Sequence, residues 1–216
     1  MNKNLYGFMI KYPEPGRVKT RLAKDIGKEK AAEVSAQLIE KIVLGTAPSG
    51  NDFDRVIFCH PPDRVRDVAS WLPADRVLPQ RGNNVGERMD SAIQDLLGLG
   101  AVKAVITGAD IPDLSSTIIR KAFSALDRSD IVIGPAADGG YYLIGMKSPR
   151  PEIFQGISWS TGRVREQTMG IIGNLHLTCA QITTLSDLDT AEDYRRFVMR
   201  TARGKAASSA PSDPDF

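Results

Sequence analysis

Residues 11–21 read KYPEPGRVKTR and set Lys11, Arg17, Lys19 and Arg21 against one acid, Glu14. Pro13 and Pro15 stiffen the backbone, and Gly16 permits a turn. The stretch follows a short apolar run, LYGFMI at 5–10, and precedes a helical pattern. It is therefore expected where a strand's carboxyl end meets a helix's amino end, the place where open α/β sheets bind ligands and free helix N–H groups attract anions. A solvated helix start would also carry lysines, but a basic first turn has the wrong charge for the helix dipole. Four such side chains point to a bound anion. Phosphate is assigned to Lys11, Pro15, Gly16, Arg17, Lys19, Thr20 and Arg21, with Lys19 and Arg21 as the catalytic cations. The loop is not a Walker A sequence, because GRVKT lacks the glycine directly before its lysine.

Carboxylates recur in three later stretches. GADIPDL (108–114) places Asp110 after the strand-like AVKAVIT. A carboxylate there, beside a phosphate loop, is what a Mg²⁺ or Mn²⁺ ion bridging phosphates requires, although Asp110 and Asp113 also suit a turn before a helix. PAADGGYYLIGM (135–146) contains Asp138, Gly139 and Gly140, and Asp-Gly is a hairpin signal. If that turn lies over the same sheet end as Asp110, Asp138 could act as a base or orient an acceptor, and the glycines would let a ligand approach. In LSDLDTAED (185–193), Thr190 and Asp193 resemble a capping box with Asp in place of Glu. Asp187 and Asp189 are left over, and a second metal carboxylate from here would join Asp110; stabilisation of the helix dipole explains them equally well.

Two polar loops could touch ligand. QRGNNVGERM (80–89) could read a base or ribose through Gly86 and Arg88, and SWST (158–161) could pack an acceptor with Trp159, Ser160 and Thr161. Turn and capping chemistry accounts for most of both. His60 and His176 have no metal-ligand partner in the sequence nearby and receive no catalytic role.

The elements that must position these residues alternate. Strand-like runs at 5–10, 55–60, 101–108 and 130–136 are separated by helical patterns at about 18–44 (broken at Gly27), 64–72, 85–97 and 118–126, the last with Ser115 or Ser116 as N-cap. This argues for an α/β fold with a mixed, mostly parallel sheet and helices on both faces. YYLIGM follows DIVIGPA too closely for a crossover helix and is expected to pair antiparallel. A helix at about 163–172, a strand within 175–185 and a helix at about 190–201 follow; the tail from Ala202 is small and polar and is expected to be disordered. With 28 basic and 26 acidic residues, net charge does not argue for nucleic acid as a partner. Cys59 and Cys179 lie in apolar runs, read as buried, and suggest neither a disulfide nor a zinc site. No run is long enough for a transmembrane segment or signal peptide, and a cytoplasmic location is expected.

Taken in order, KYPEPGRVKTRLA, GADIPDL, PAADGGYYLIGM, ISWST and DLDTAEDY resemble a bacterial family of uncharacterised proteins in the nucleotide-diphospho-sugar transferase superfamily, over about residues 5–198. The resemblance implies a single-domain GT-A-like, Rossmann-related fold over residues 1–203, a nucleotide or nucleotide-sugar ligand, a small-molecule acceptor and a divalent metal, Mg²⁺ or Mn²⁺. The amino-terminal loop is also similar to that of phospholactate guanylyltransferases and, more distantly, molybdenum cofactor guanylyltransferases. Sugar-nucleotide-forming relatives carry a DTPED-like box whose first aspartate helps bind metal, and Asp189 matches it. The chain departs from GT-A glycosyltransferases at Asp110, which is followed by Ile111, Pro112 and Asp113 where they show an Asp-any-Asp pair. The expected reaction is nucleotidyl transfer from a nucleoside triphosphate to a phosphorylated acceptor, with Lys11, Lys19 and Arg21 on the triphosphate and Asp110 and Asp189 on the metal. The alternatives are glycosyl transfer with Asp138 as base, and a nucleotide-binding module without turnover.

Overall fold

In the computed structural model, which describes residues 4–74 and 76–208, the first apolar run forms strand β1 (Asn4–Lys11). Alternation buries it on both sides: Tyr6, Phe8 and Ile10 enter one apolar cluster and Leu5 the other, and all four are at most 2% exposed. The chain continues through α1 (Ala23–Ile26), α2 (Lys28–Gly45), β2 (Asp54–His60), α3 (Val65–Trp71), β3 (Val77–Pro79), α4 (Val85–Gly98) and β4 (Lys103–Thr107). It ends with α5 (Ser116–Ala125), β5 (Ile131–Pro135), β6 (Tyr141–Met146), α6 (Val164–Asn174), β7 (Cys179–Gln181) and α7 (Ala191–Ser208).

The seven strands are ordered β3-β2-β1-β4-β6-β5-β7. β6 is antiparallel to β4 and β5, and every other pair is parallel. The short link between β5 and β6 allows only that hairpin geometry, as the sequence implied. One face of the sheet packs against α2, α3 and α5 through residues such as Leu38, Val68 and Phe123, and the other against α4 and α6 through Ile93, Leu96 and Ile172. Each fully buried Leu, Ile or Phe contributes about 1.5–3 kcal/mol, so two filled faces hold the carboxyl ends of the strands rigidly. Among the described residues no helix is long and apolar enough to cross a membrane.

Several expectations change. Gly27 does break the first helical region, at φ 86°, but residues 18–22 are not helical and α1 is a single turn. Arg17, Lys19 and Arg21 therefore lie in a turn before a four-residue helix, and Lys11 is the last residue of β1. The long-helix dipole invoked for them acts further along, at Lys28. β3 escaped the sequence pattern because it has only three residues and ends in proline. Ser115 stands at the N-cap of α5 without a side-chain capping bond. Cys179 is half-buried, and both cysteines are free. Helix α7 runs to Ser208, into the segment read as a disordered tail; the rest of that segment, 209–216, lies outside the described residues.

Candidate active site

The loop after β4 is pinned from two sides. The Leu188 N–H donates to the Asp110 carbonyl at 2.9 Å, and on the outer side Arg200 pairs with Asp113 at 2.9 Å while Lys41 donates to the Pro112 carbonyl at 2.7 Å. Segment 185–189 is itself stitched to the end of β5, with Leu185 N–H donating to Pro135 O and Ala137 N–H to Leu185 O. Four aspartates from three loops, Asp110, Asp138, Asp187 and Asp189, thus reach one end of the sheet.

Lys19 enters this group. Its side chain is 3% exposed, and its ammonium donates to Asp110 Oδ1 and to the Leu188 carbonyl and lies 3.3 Å from Asp189 Oδ1. A lysine buried this deeply requires paired oxygens, since an uncompensated ammonium costs several kcal/mol, on the order of that for any buried ion. The backbone bends to deliver it: Lys19 has φ +46°, a conformation that side-chain-bearing residues seldom adopt. Lys19, expected to face phosphate, sits between the two carboxylates expected to hold metal.

Asp187, passed over in the sequence, is the perturbed member. Burial first, then the charges of Asp138, Asp110 and Asp189, push its pKa up to about 7, with Lys19 acting in the opposite direction. The signal in the sequence was its spacing of two from Asp189, which looked like a helix-start cluster.

Asp138 occupies the β5–β6 turn, over the same sheet end as Asp110, and its Oδ1 accepts from the Gly140 N–H at 2.9 Å. It is thus both the hairpin turn residue and a cleft residue. Gly139 has φ +92°, and a Cβ there would meet the Gly162 carbonyl oxygen at 2.2 Å. This contact, with Arg165 N–H donating to Gly139 O, joins the turn to the 158–162 loop.

Two connected depressions meet at Asp110, Asp138 and Lys19. The first, about 490 Å³, runs over β1 and β2 and includes Lys11, Arg17, Thr20, His60, Gln80 and Arg88. The second, about 610 Å³, includes Arg21, Asp189, Trp159, Ser160 and Thr161. Gly140 lines both, whereas Pro15, Gly16, Gly86 and Gly139 line neither. Pro15 and Gly16 shape the turn. Gly86 is a packing position: a Cβ there would meet the Trp159 ring at 2.7 Å. Glu14, the one acid within the basic stretch, is shared between Arg17 at 3.2 Å and Arg64, which also stacks on Tyr12, so it offsets only part of the loop's charge. Arg88 is steadied by donation to Gly82 O at 3.0 Å. The expected capping box forms, with Thr190 N–H and hydroxyl donating to Asp193 Oδ2 at 2.9 and 2.7 Å. His60, given no role from sequence, lines the first depression.

Among the described residues no group of three or more His, Cys, Asp or Glu side chains could hold a metal ion. The oxygens around Lys19 nevertheless suit a hard cation: two carboxylates and a carbonyl already converge on one positive charge. In this structure that charge is the Lys19 ammonium.

Residues 43–161 match the family described as "Uncharacterized protein conserved in bacteria (DUF2064)". The chain belongs to this family. No curated protein matches it. A crystal structure titled "putative nucleotide-diphospho-sugar transferase" from Desulfovibrio desulfuricans G20 is similar at 35% identity and TM-score 0.85, over 93% of this chain and 88% of that one. The CMP:2-keto-3-deoxy-manno-octonic acid synthetase complexed with CTP shares the fold at 9% identity and TM-score 0.59, over 94% and 100%. Rv0371C from Mycobacterium tuberculosis H37Rv, in complex with manganese, does so at 11% identity and TM-score 0.50, over 90% and 98%. The DUF2064 chain therefore has the mixed α/β fold of nucleotide-diphospho-sugar transferase-like proteins, as its sequence boxes implied.

Proposed function

We propose that this protein is a metal-dependent transferase that moves a nucleotidyl group from a nucleoside triphosphate to a phosphorylated small acceptor. The reading is carried by one observation: the two depressions meet at Asp110, Asp138 and Lys19, so ligands in each would present their reacting ends to the same charged centre. An oxygen of the acceptor's phosphate attacks the α-phosphorus, the bond to the β-phosphate oxygen breaks, and pyrophosphate leaves with that electron pair. A phosphate nucleophile is already ionised at neutral pH and needs little general-base help, so positioning and charge neutralisation carry the rate. Lys11 and Arg21 neutralise the triphosphate, and Lys19 joins them once it leaves the carboxylates. Trp159, Ser160 and Thr161 seat the acceptor.

Asp110 and Asp189 would hold Mg²⁺ or Mn²⁺, which when bound neutralises phosphate oxygens. The manganese complex of Rv0371C and the CTP complex of the synthetase support metal and triphosphate as the ligands of such a fold. The test is pyrophosphate release by purified protein with Mg²⁺ or Mn²⁺ across nucleoside triphosphates and phosphorylated acceptors. Release that needs both metal and acceptor is expected; none across the panel would overturn the reading.

The description of the 35%-identical relative supports a second reading, glycosyl transfer from a nucleotide-sugar. In it the remaining oxygen of Asp138 is the base, and nucleoside diphosphate is released instead of pyrophosphate. Asp138→Asn should then abolish turnover, whereas nucleotidyl transfer should largely survive it.

A further inference from the structure

The lining of the second depression divides by origin. Its charges, among them Arg21, Asp138 and Asp189, come from the loops at the carboxyl ends of the strands and before α7, whereas Val85 and Met89 on α4, Tyr141 at the start of β6, Trp159 and Val164 supply hydrocarbon. Met89, Tyr141 and Trp159 are packed against the apolar cluster on the α4 and α6 face of the sheet. Gly86 closes the wall, because the Trp159 ring lies so near the α4 backbone that a Cβ there would meet it at 2.7 Å. Val85 stands beside that contact and Met89 one turn further along the helix. Val85 is 43% exposed, and of the large apolar side chains exposed among the described residues it is the one that lines a depression. An apolar side chain left open to water next to Met89 and Trp159, inside a charged cleft, suits a ligand that brings hydrocarbon to it.

The hydroxyls on this side are withdrawn. That of Tyr141 is buried, so the residue offers a ligand only its ring. That of Thr161 donates to the Ser158 carbonyl at 2.7 Å and accepts from the Arg163 N–H at 3.3 Å. On the wall from Val85 to Val164 this leaves the Ser160 hydroxyl and the Trp159 indole N–H as side-chain partners for a ligand among the described residues. A sugar ring carries several hydroxyls, and each one pressed against valine, methionine or a tyrosine ring gives up water without replacement. We infer that the acceptor is a phosphate monoester of an apolar alcohol, with its phosphate at the charged centre and its hydrocarbon group against Val85, Met89 and Trp159. The inference rests on the nucleotidyl-transfer reading and narrows it. Transfer would join the nucleotidyl phosphorus to an oxygen of that phosphate and release pyrophosphate, leaving a nucleoside diphosphate esterified to the apolar alcohol.

The chain has two tryptophans, so Trp71→Phe leaves Trp159 alone to report occupancy by its emission. With Mn²⁺ present, methyl, ethyl, butyl and hexyl phosphate should bind with affinity rising about threefold for each added methylene, and glucose 1-phosphate should bind no more tightly than methyl phosphate. Met89→Gln should flatten that dependence and leave inorganic phosphate binding within about twofold. Affinity indifferent to chain length, tighter binding of glucose 1-phosphate than of hexyl phosphate, or no binding across the series overturns the inference. Pyrophosphate release with a nucleoside triphosphate is followed separately. Alkyl phosphates that bind with the expected dependence but support no release would remove the transfer reading and leave the apolar site. Release with glucose 1-phosphate while the alkyl phosphates stay inert would remove the apolar acceptor and leave transfer standing.

Discussion

Lys19 Nζ lies 3.3 Å from Asp189 Oδ1 while donating to Asp110 on its other side, so a single buried ammonium links the two carboxylates that the sequence offers as metal ligands. A divalent ion entering there competes with a charge the protein already supplies. Lys19→Met should therefore bind Mn²⁺ more tightly, by about tenfold or more, even though it loses phosphate contacts. Titration of free Mn²⁺ by electron paramagnetic resonance reads this directly. Equal affinity in both proteins would mean that ion and ammonium do not share oxygens.

Asp110 and Asp113 separate role from mere abundance of acid in one loop. Asp110 faces the cleft, whereas Asp113 is held on the outer side by Arg200. Asp110→Asn should lower metal-dependent ligand binding by about tenfold or more. Asp113→Asn, which breaks an exposed pair, should cost no more than about 1 kcal/mol and leave binding within about twofold. Calorimetric titration of a nucleoside triphosphate with Mn²⁺ checks both.

Gly139 tolerates no side chain. A Cβ would adopt the left-handed region at φ +92° and press to 2.2 Å from the Gly162 carbonyl oxygen. Gly139→Ala should destabilise the fold by about 1–3 kcal/mol and loosen the Asp138 turn from the 158–162 loop. Urea denaturation gives the first, and protection of the Arg165 amide against hydrogen exchange the second.

Asp187 should make stability depend on pH in a definite direction. Its folded pKa, about 7, exceeds its ordinary value of 3.8, so the native state binds the proton more tightly than the unfolded chain. Stability is unaffected by this group below about pH 4, falls as pH rises between the two values, and is lower by a constant amount above about pH 7. Because the carboxyl is partly solvated, the loss is about 1–2 kcal/mol. Asp187→Asn should match the native protein near pH 4 and exceed it near pH 8, in unfolding curves measured across that range. A parallel pH dependence in the two proteins would sink the assignment.

The short continuous apolar run at residues 5–10 and the short link after residue 135 made β1 and the antiparallel β6 legible, because both follow from local composition and chain length. The Thr190–Asp193 cap was legible for the same reason. β3 was not: three residues ending in proline carry no period, and the strand exists because β2 offers it a paired edge. Asp187 was visible as a residue but not as a perturbed one, since its surroundings come from loops at 108–110 and 136–140.

By itself the sequence determined which side chains are available at the strand ends: the basic run from Lys11, the aspartates after β4, after β5 and before α7, and the family to which that order of boxes belongs. Local propensity and spacing suffice for that. Tertiary structure alone decided who faces whom. Lys19 meets Asp110 and Leu188 across 91 and 169 residues of chain, and His60 joins Lys11 through strand pairing. Such contacts arise when sheet order brings distant loops to one edge, and the energy of pairing a buried charge then fixes where each side chain rests.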